Sequence, residues 1–298
     1  MFAQCVIRLC GCCGRASAFS GIAPLAAVIG NQCLVERASV GTLSRRTVGW
    51  QCRNSKVKSV SFWGLRGGSG TTSTVAMVGE ALHALGESVL MVDVNPSDVL
   101  RLHFNVDYGG QNGWALALAQ ATPWQDEGFV LEENMWLLPY GRHGLNSIEA
   151  LATPLDQSDE FWCEALRRLD GQFSWVLFDL PAGGSAYPKL RATSGLDIMV
   201  TSVDTGCHIL LLQHEIAATT RILINAYDPS RALCNDLLLE WRHRYQAHLL
   251  PVYIHRDEGV HEALAQKTPV SRCYPDCAAS RDALSLATWL LAQKKAAS

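Results

Sequence analysis

The chain has 298 residues, 48% of them apolar, enough to fill a sizeable buried core in one large α/β domain or two small ones. No uninterrupted apolar run of about 18 residues occurs, so a membrane-spanning helix is not expected. The net charge of −3 is uneven: residues 1–58 hold eight Lys or Arg against the single acid Glu36, so they carry +7 and the remainder carries −10. An acidic body excludes broad nucleic-acid binding, which needs a basic face.

Residues 1–56 read as a poorly ordered extension that mixes Arg, Ser, Gly and Cys without helical or strand period. Six of the eleven cysteines (Cys5, Cys10, Cys12, Cys13, Cys33, Cys52) lie there. Arg-rich, acid-poor composition fits an organellar transit peptide, although the rest of the chain is bacterial in type. The cluster Cys10, Cys12, Cys13 lacks the C-x-x-C spacing of a zinc site. The apolar run Ile22–Ile29 is too short and too far from a charged start for a signal peptide. The simplest reading is an extension translated from upstream of the natural start. The other cysteines (Cys163, Cys207, Cys234, Cys273, Cys277) are scattered as small buried hydrophobes would be, not paired in a disulfide framework.

From Val57 the pattern alternates strand and helix. Strands are predicted at 57–63, 88–93, 135–139, 175–180, 197–203, 221–225 and 249–255. Helices are predicted at 71–85, 113–120, 159–169, 207–216, 230–245, 258–266 and 281–294. Short apolar strands between amphipathic helices imply a doubly wound, mainly parallel sheet covered on both faces. Such sheets bind ligands at the carboxyl ends of their strands. No repeat or linker divides residues 57–298, which read as one nucleotide-binding domain.

The segment Gly64-Leu-Arg66-Gly67-Gly68-Ser69-Gly70-Thr71-Thr72-Ser73 falls between the first strand and the first helix. Glycines let successive N–H groups converge on one centre, and the helix N-terminus adds partial positive charge, so the segment reads as a P-loop. Thr72 is placed to put its hydroxyl on Mg2+. Asp93 and Asp179 close apolar strands at the ligand edge, where a carboxylate can orient water, accept a proton or support a metal. Each could instead cap a turn. His83 and His208 fall in predicted helices and read as structural; Trp114, Trp124, Trp136 and Trp162 read as core or partner contacts.

The loop resembles the deviant Walker A motif, K-G-G-x-G-K-[ST], of the MinD/ParA superfamily of P-loop ATPases. Arg66 stands at the signature lysine, which in family dimers reaches the partner's nucleotide, and Thr71 stands at the usual P-loop lysine. The resemblance implies ATP and Mg2+ as cofactors, Asp93 as the switch I aspartate, and Asp179, in Trp175-Val-Leu-Phe-Asp179, as the Walker B acid. Asn95 replaces the second acid often found two residues after the first. Asn225 would contact the purine ring through its amide, or else form a turn. The implied site is thus Asp93 and Asp179 as catalytic groups, Arg66, Gly67, Gly68, Ser69, Gly70, Thr71, Thr72, Ser73 and Asn225 on the nucleotide, and Thr72, Asp93 and Asp179 around the metal.

Further stretches narrow the resemblance: Leu100-Arg-Leu-His-Phe-Asn105-Val-Asp107, Gly113-Trp114-Ala, Leu137-Leu-Pro-Tyr-Gly141, Cys207-His208-Ile, and Leu249-Leu-Pro-Val-Tyr-Ile-His255-Arg-Asp-Glu258. From about Val57 to Trp289 the chain is similar to the BcsQ (YhjQ) family of bacterial cellulose biosynthesis proteins. That resemblance implies an assembly factor or regulator working as a nucleotide-sandwich homodimer, with slow hydrolysis or none. It also implies a small operon-encoded partner and association with the inner-membrane cellulose synthase complex. The expected place is cytoplasmic and peripheral to that membrane, with a polar position open. The nearest rival is a membrane- or pole-positioning ATPase of the MinD/ParA type, with Leu284–Lys295 as an amphipathic membrane foot instead of a helix packed on the sheet. A metal-cluster carrier would need paired cysteines, and only Cys273 and Cys277 come close.

Overall fold

A computed structural model describes residues 57–141 and 155–296 of the chain. The extension predicted for residues 1–56 lies outside them. The strands are β1 (Lys58–Gly64), β2 (Val89–Asp93), β3 (Phe129–Glu132), β4 (Met135–Leu138), β5 (Trp175–Leu180), β6 (Leu196–Ser202), β7 (Thr220–Tyr227) and β8 (Leu249–His255). They form one sheet in the order β3-β4-β2-β5-β1-β6-β7-β8, with every pair parallel except β3 with β4. The doubly wound parallel sheet read from the sequence is what the chain forms.

The sheet explains its own sequence. Every residue of β2 and β5 is buried, as expected for strands covered on both faces. Alternation then sorts their side chains into two cores. Val60, Phe62, Met91, Leu177 and Val200 join one, packed by α1 (Thr71–Ala84), α7 (Gly259–Ala265), α8 (Val270–Cys273) and α9 (Ala278–Ala296). Trp63, Val92, Phe178, Leu180 and Met199 join the other, packed by α2 (Trp114–Ala119), α3 (Leu155–Leu169), α4 (Pro188–Thr193), α5 (Thr205–Gln213) and α6 (Ala232–Arg244).

Of the tryptophans read as core or partner contacts, Trp114, Trp124 and Trp162 are buried edge to face in the second core, with Phe161 and Phe178 among them. Of the two readings of the last helix, packing on the sheet accounts for its apolar face. Ala279, Ala283, Leu286, Ala287 and Leu290 of α9 are all buried in the first core. None of the helices among the described residues is long and apolar enough to cross a membrane.

Besides the 3-10 turns Leu100–Phe104 and Trp124–Glu127, three elements escaped the sequence pattern. β3 is a four-residue antiparallel edge strand. The helix α4 is six residues long, begins at Pro188, and is capped from a distance: Asp159 accepts from the N–H groups of Lys189 (2.8 Å) and Leu190 (2.6 Å). The helix α8 is a single turn behind Pro269.

Candidate nucleotide-binding site

β1 lies at the middle of the sheet, and its carboxyl end runs straight into the Gly-rich loop. The loop is shaped by its own bonds: the Ser69 hydroxyl donates to the Arg66 carbonyl at 2.7 Å. Gly70 closes it with φ of 80°, a left-handed conformation that a side chain would strain. A Cβ at Gly70 would also lie 2.3 Å from Nδ2 of Asn225. The helix α1 then begins with no side-chain cap at its N-terminus. The amide donors of its first turn are thus left to an external anion.

Above the loop is a cavity of about 190 Å3 lined by Arg66 through Ser73, Asn95, Leu180 and Ala182. A Cβ at Gly67 or Gly68 would meet nothing within 4 Å, so the loop backbone is open toward that space. A second cavity of about 120 Å3 adjoins it, lined among others by Ser69, Gly70, Asn225, Arg256 and His261. The structure therefore brings every predicted P-loop residue to one cleft, with Asn225 at its far end. The Asn225 amide is already engaged, donating to the Ser69 carbonyl at 2.8 Å. The residue predicted to read a base is therefore also the one that pins the phosphate loop. Its second N–H and its carbonyl oxygen remain for a ligand.

The two predicted aspartates do not line the cleft. Both are fully buried and paired in register across β2 and β5, while their chain neighbours Asn95 and Leu180 line the cleft. Asp93 accepts from the N–H groups of Asn95 (2.9 Å) and Leu100 (3.1 Å), and its carbonyl accepts from the Trp114 indole at 2.7 Å. Burial, then the charges of Asp179 and Asp98, hold the Asp93 carboxyl well above the ordinary carboxylate range. Asp179 differs: neither carboxylate oxygen accepts a backbone N–H, and the Thr72 hydroxyl beside it is not in full hydrogen-bond geometry. Burial raises its pKa to about 7, opposed only by the nearby Thr72 hydroxyl. A buried carboxylate without a backbone donor, beside a threonine hydroxyl and a set of free helix N–H groups, is a donor set that fits Mg2+ held against a phosphate. Among the described residues no cluster of three or more His, Cys, Asp or Glu is arranged to hold a metal ion, so a cation here would depend on the hydroxyl and the phosphates as well.

Among the described residues Arg66 is the only cation lining the phosphate cavity, since Thr71 occupies the usual lysine position. Its fork is not free. One arm pairs with Asp204 at 2.8 Å, and Nε donates to the Cys207 sulfur at 3.2 Å. Asp204 also caps α5, accepting from the Cys207 N–H at 2.9 Å. Sequence reading started that helix at Cys207 and so passed over Asp204; an Asp three residues before a helix N–H is the available signal. His83 and His208 are structural here, paired with Glu132 (3.1 Å) and the Trp241 indole (3.0 Å) respectively. Asp257 fixes its own loop, accepting from the Gly259 N–H at 2.9 Å.

Residues 57–291 match the family model described as cellulose biosynthesis protein BcsQ. The cellulose biosynthesis protein BcsQ of Salmonella typhimurium is 36% identical over 238 residues, covering 76% of this chain and 92% of that one. The Escherichia coli K12 protein of the same name is 36% identical over 233 residues, with the same coverage. Among solved structures, the septum site-determining protein MinD of Pyrococcus horikoshii, complexed with Mg-ADP, superposes with a TM-score of 0.59 at 20% identity. It covers 78% of this chain and 96% of its own. A cobyrinic acid a,c-diamide synthase from Mycobacterium smegmatis with bound ADP and magnesium gives a TM-score of 0.63 at 21% identity, covering 81% and 97%. These likenesses place the fold with MinD and ParA, and the chain belongs to the BcsQ family of cellulose biosynthesis proteins.

Proposed function

We propose that this chain is an ATP-binding assembly factor or regulator of bacterial cellulose synthesis, working as a nucleotide-dependent homodimer with slow hydrolysis. The observation that carries the reading is the cleft itself: an uncapped helix N-terminus and an open glycine loop, backed by Asp179, which has no backbone donor. The loop N–H groups and Thr72 would hold the phosphates and Asn225 the base. Thr72 and Asp179 would hold Mg2+, with Asp93 behind them. When bound, the ion supplies positive charge that neutralises the phosphates.

Slow chemistry follows from what the residues are already doing. Asp93 is fully buried and does not line the cleft, so water beside the phosphates has no direct access to its carboxyl. Thr71 supplies no charge to the phosphoryl group, and Arg66 is held by Asp204. For Arg66 to reach a nucleotide, in its own protomer or in a partner, it must leave Asp204. A nucleotide seated between two protomers then stabilises the dimer by mass action. The family suggests the setting: a small partner encoded nearby and the cellulose synthase complex at the inner membrane.

Size-exclusion chromatography with light scattering, with and without Mg-ATP, tests the reading on the full chain. The wild type should shift from monomer to dimer with Mg-ATP, and Arg66→Ala should not. An Arg66→Ala protein that dimerises normally with ATP would sink the dimer role. Turnover measured beside an Asp93→Ala control separates a slow ATPase from a protein that only binds.

A further inference from the structure

We propose that Arg101 is a positioning residue for the nucleotide site, acting through Asp93. It rests on the Mg-nucleotide reading above. Arg101 is fully buried in the short helical turn Leu100–Phe104, a place where a guanidinium is rarely found without a task. Its fork spans the loop that follows β2. One arm donates to the carbonyls of Asp107 (2.7 Å) and Gly110 (3.0 Å); the other donates to Asn112 (2.6 Å) and pairs with the buried Asp98 at 2.7 Å.

Asp98 in turn accepts from the Tyr140 N–H at 3.0 Å, tying the cluster to the end of β4. Without the guanidinium, three loop carbonyls and a buried carboxylate would all lose a partner.

These contacts matter because of what flanks them. Leu100, one residue before Arg101, gives its N–H to Asp93 Oδ2. Trp114, two residues after the Asn112 carbonyl that Arg101 holds, gives its indole N–H to the Asp93 carbonyl. Gly113, between them, packs so closely on Gly141 that a Cβ would lie 2.1 Å from the Gly141 nitrogen. Asn95, whose N–H holds the other Asp93 oxygen, lines the phosphate cavity. One cation thus fixes both ends of the brace around Asp93, and the brace borders the cleft. A lysine keeps the charge toward Asp98 but lacks the planar fork that reaches three carbonyls at once.

The test uses Arg101→Lys in the full chain, with three readouts: thermal melting, amide exchange of the ligand-free protein, and binding of a fluorescent ATP analogue with Mg2+ or with EDTA. Exchange across residues 95–113 should quicken tenfold or more while β1 and β5 keep wild-type protection. The gain in affinity from Mg2+ should fall about tenfold, with affinity in EDTA unchanged within about twofold. Asp93→Asn should lower the same gain, and the double variant should fall no further than the larger single effect.

An intact Mg2+ gain, or equal losses with and without Mg2+, would overturn the proposal. If Arg101→Lys does not fold, the charge-neutral pair Asp98→Asn with Arg101→Gln is read the same way. Collapse of both would make Arg101 a folding residue only and end the proposal. A wild type that binds no magnesium nucleotide sinks the earlier reading instead, and the exchange arm still decides whether Arg101 braces Asp93.

Discussion

Two carboxylates end neighbouring strands in register, yet the chain treats them in opposite ways. Asp93, at the end of β2, is enclosed: both oxygens accept backbone N–H groups and its carbonyl holds an indole. Asp179, at the end of β5, is equally buried and has no backbone donor at either oxygen. The first is an element of the local fold. The second carries a desolvation cost that the Thr72 hydroxyl offsets only in part. Strand position alone does not separate an acid braced by its own loop from one left without a backbone donor; their hydrogen bonds do.

The contrast can be broken most forcibly at Asp93. Asp93→Ala strands two buried N–H groups and should cost about 2–5 kcal/mol. Chemical denaturation measures it, and Asp93→Asn, which keeps one acceptor, should recover roughly half. Asp179→Asn should act with the other sign. The folded Asp179 pKa of about 7 lies above the unfolded value of about 3.9. Its penalty is absent below about pH 4, grows as pH rises to about 7, and is full above that. The ligand-free wild type should therefore be less stable at pH 8 than at pH 5. Asp179→Asn should reduce that difference, raising stability at pH 8 by about 2–4 kcal/mol, while the raised Asp93 carboxyl keeps the remainder. It should also remove the stabilisation by Mg-ATP. Equal pH dependence in wild type and variant would refute the contrast.

The phosphate loop allows a finer version of the same test. Gly70→Ala meets both a positive φ and the Asn225 amide, and should cost about 1–3 kcal/mol in stability. Gly67→Ala meets no atom, so it should leave stability unchanged while its methyl group occupies phosphate space and weakens ATP binding. Smallest of all is Asp204→Asn. It keeps an acceptor for the Cys207 N–H and loses only a half-exposed ion pair, so stability should change by less than about 1 kcal/mol. Its effect should instead appear as ATP-driven dimerisation at lower protein concentration, once Arg66 is released.

Much of this was legible in the sequence because it is local. The apolar runs of β2 and β5, the glycine string between β1 and α1, and an acid at each strand end sit within short windows. The missing parts depend on distance. α4 takes its cap from Asp159, about thirty positions earlier, and no short-range signal marks that. Arg66 finds Asp204 across 138 positions, and Asn225 finds the Ser69 carbonyl across 156. Asp93 was read as reaching the ligand edge, which its strand predicts. That its oxygens are already occupied follows from a loop with no regular period, folded around Arg101.

The strand order also bears on how the chain is made. Among the described strands β1 emerges first, but its partners in the sheet are β5 and β6. Lys58 pairs with Trp175 and Val60 with Leu196, so more than a hundred residues must be translated before either edge of β1 is covered. At roughly 5–20 residues per second, that leaves an apolar strand waiting on the order of ten seconds. The nucleotide loop at its end cannot be completed until Asn225 has also left the ribosome. Ligand binding is thus a property the nascent chain acquires late, and the interval before it is when the chain is most exposed to aggregation and most in need of a chaperone.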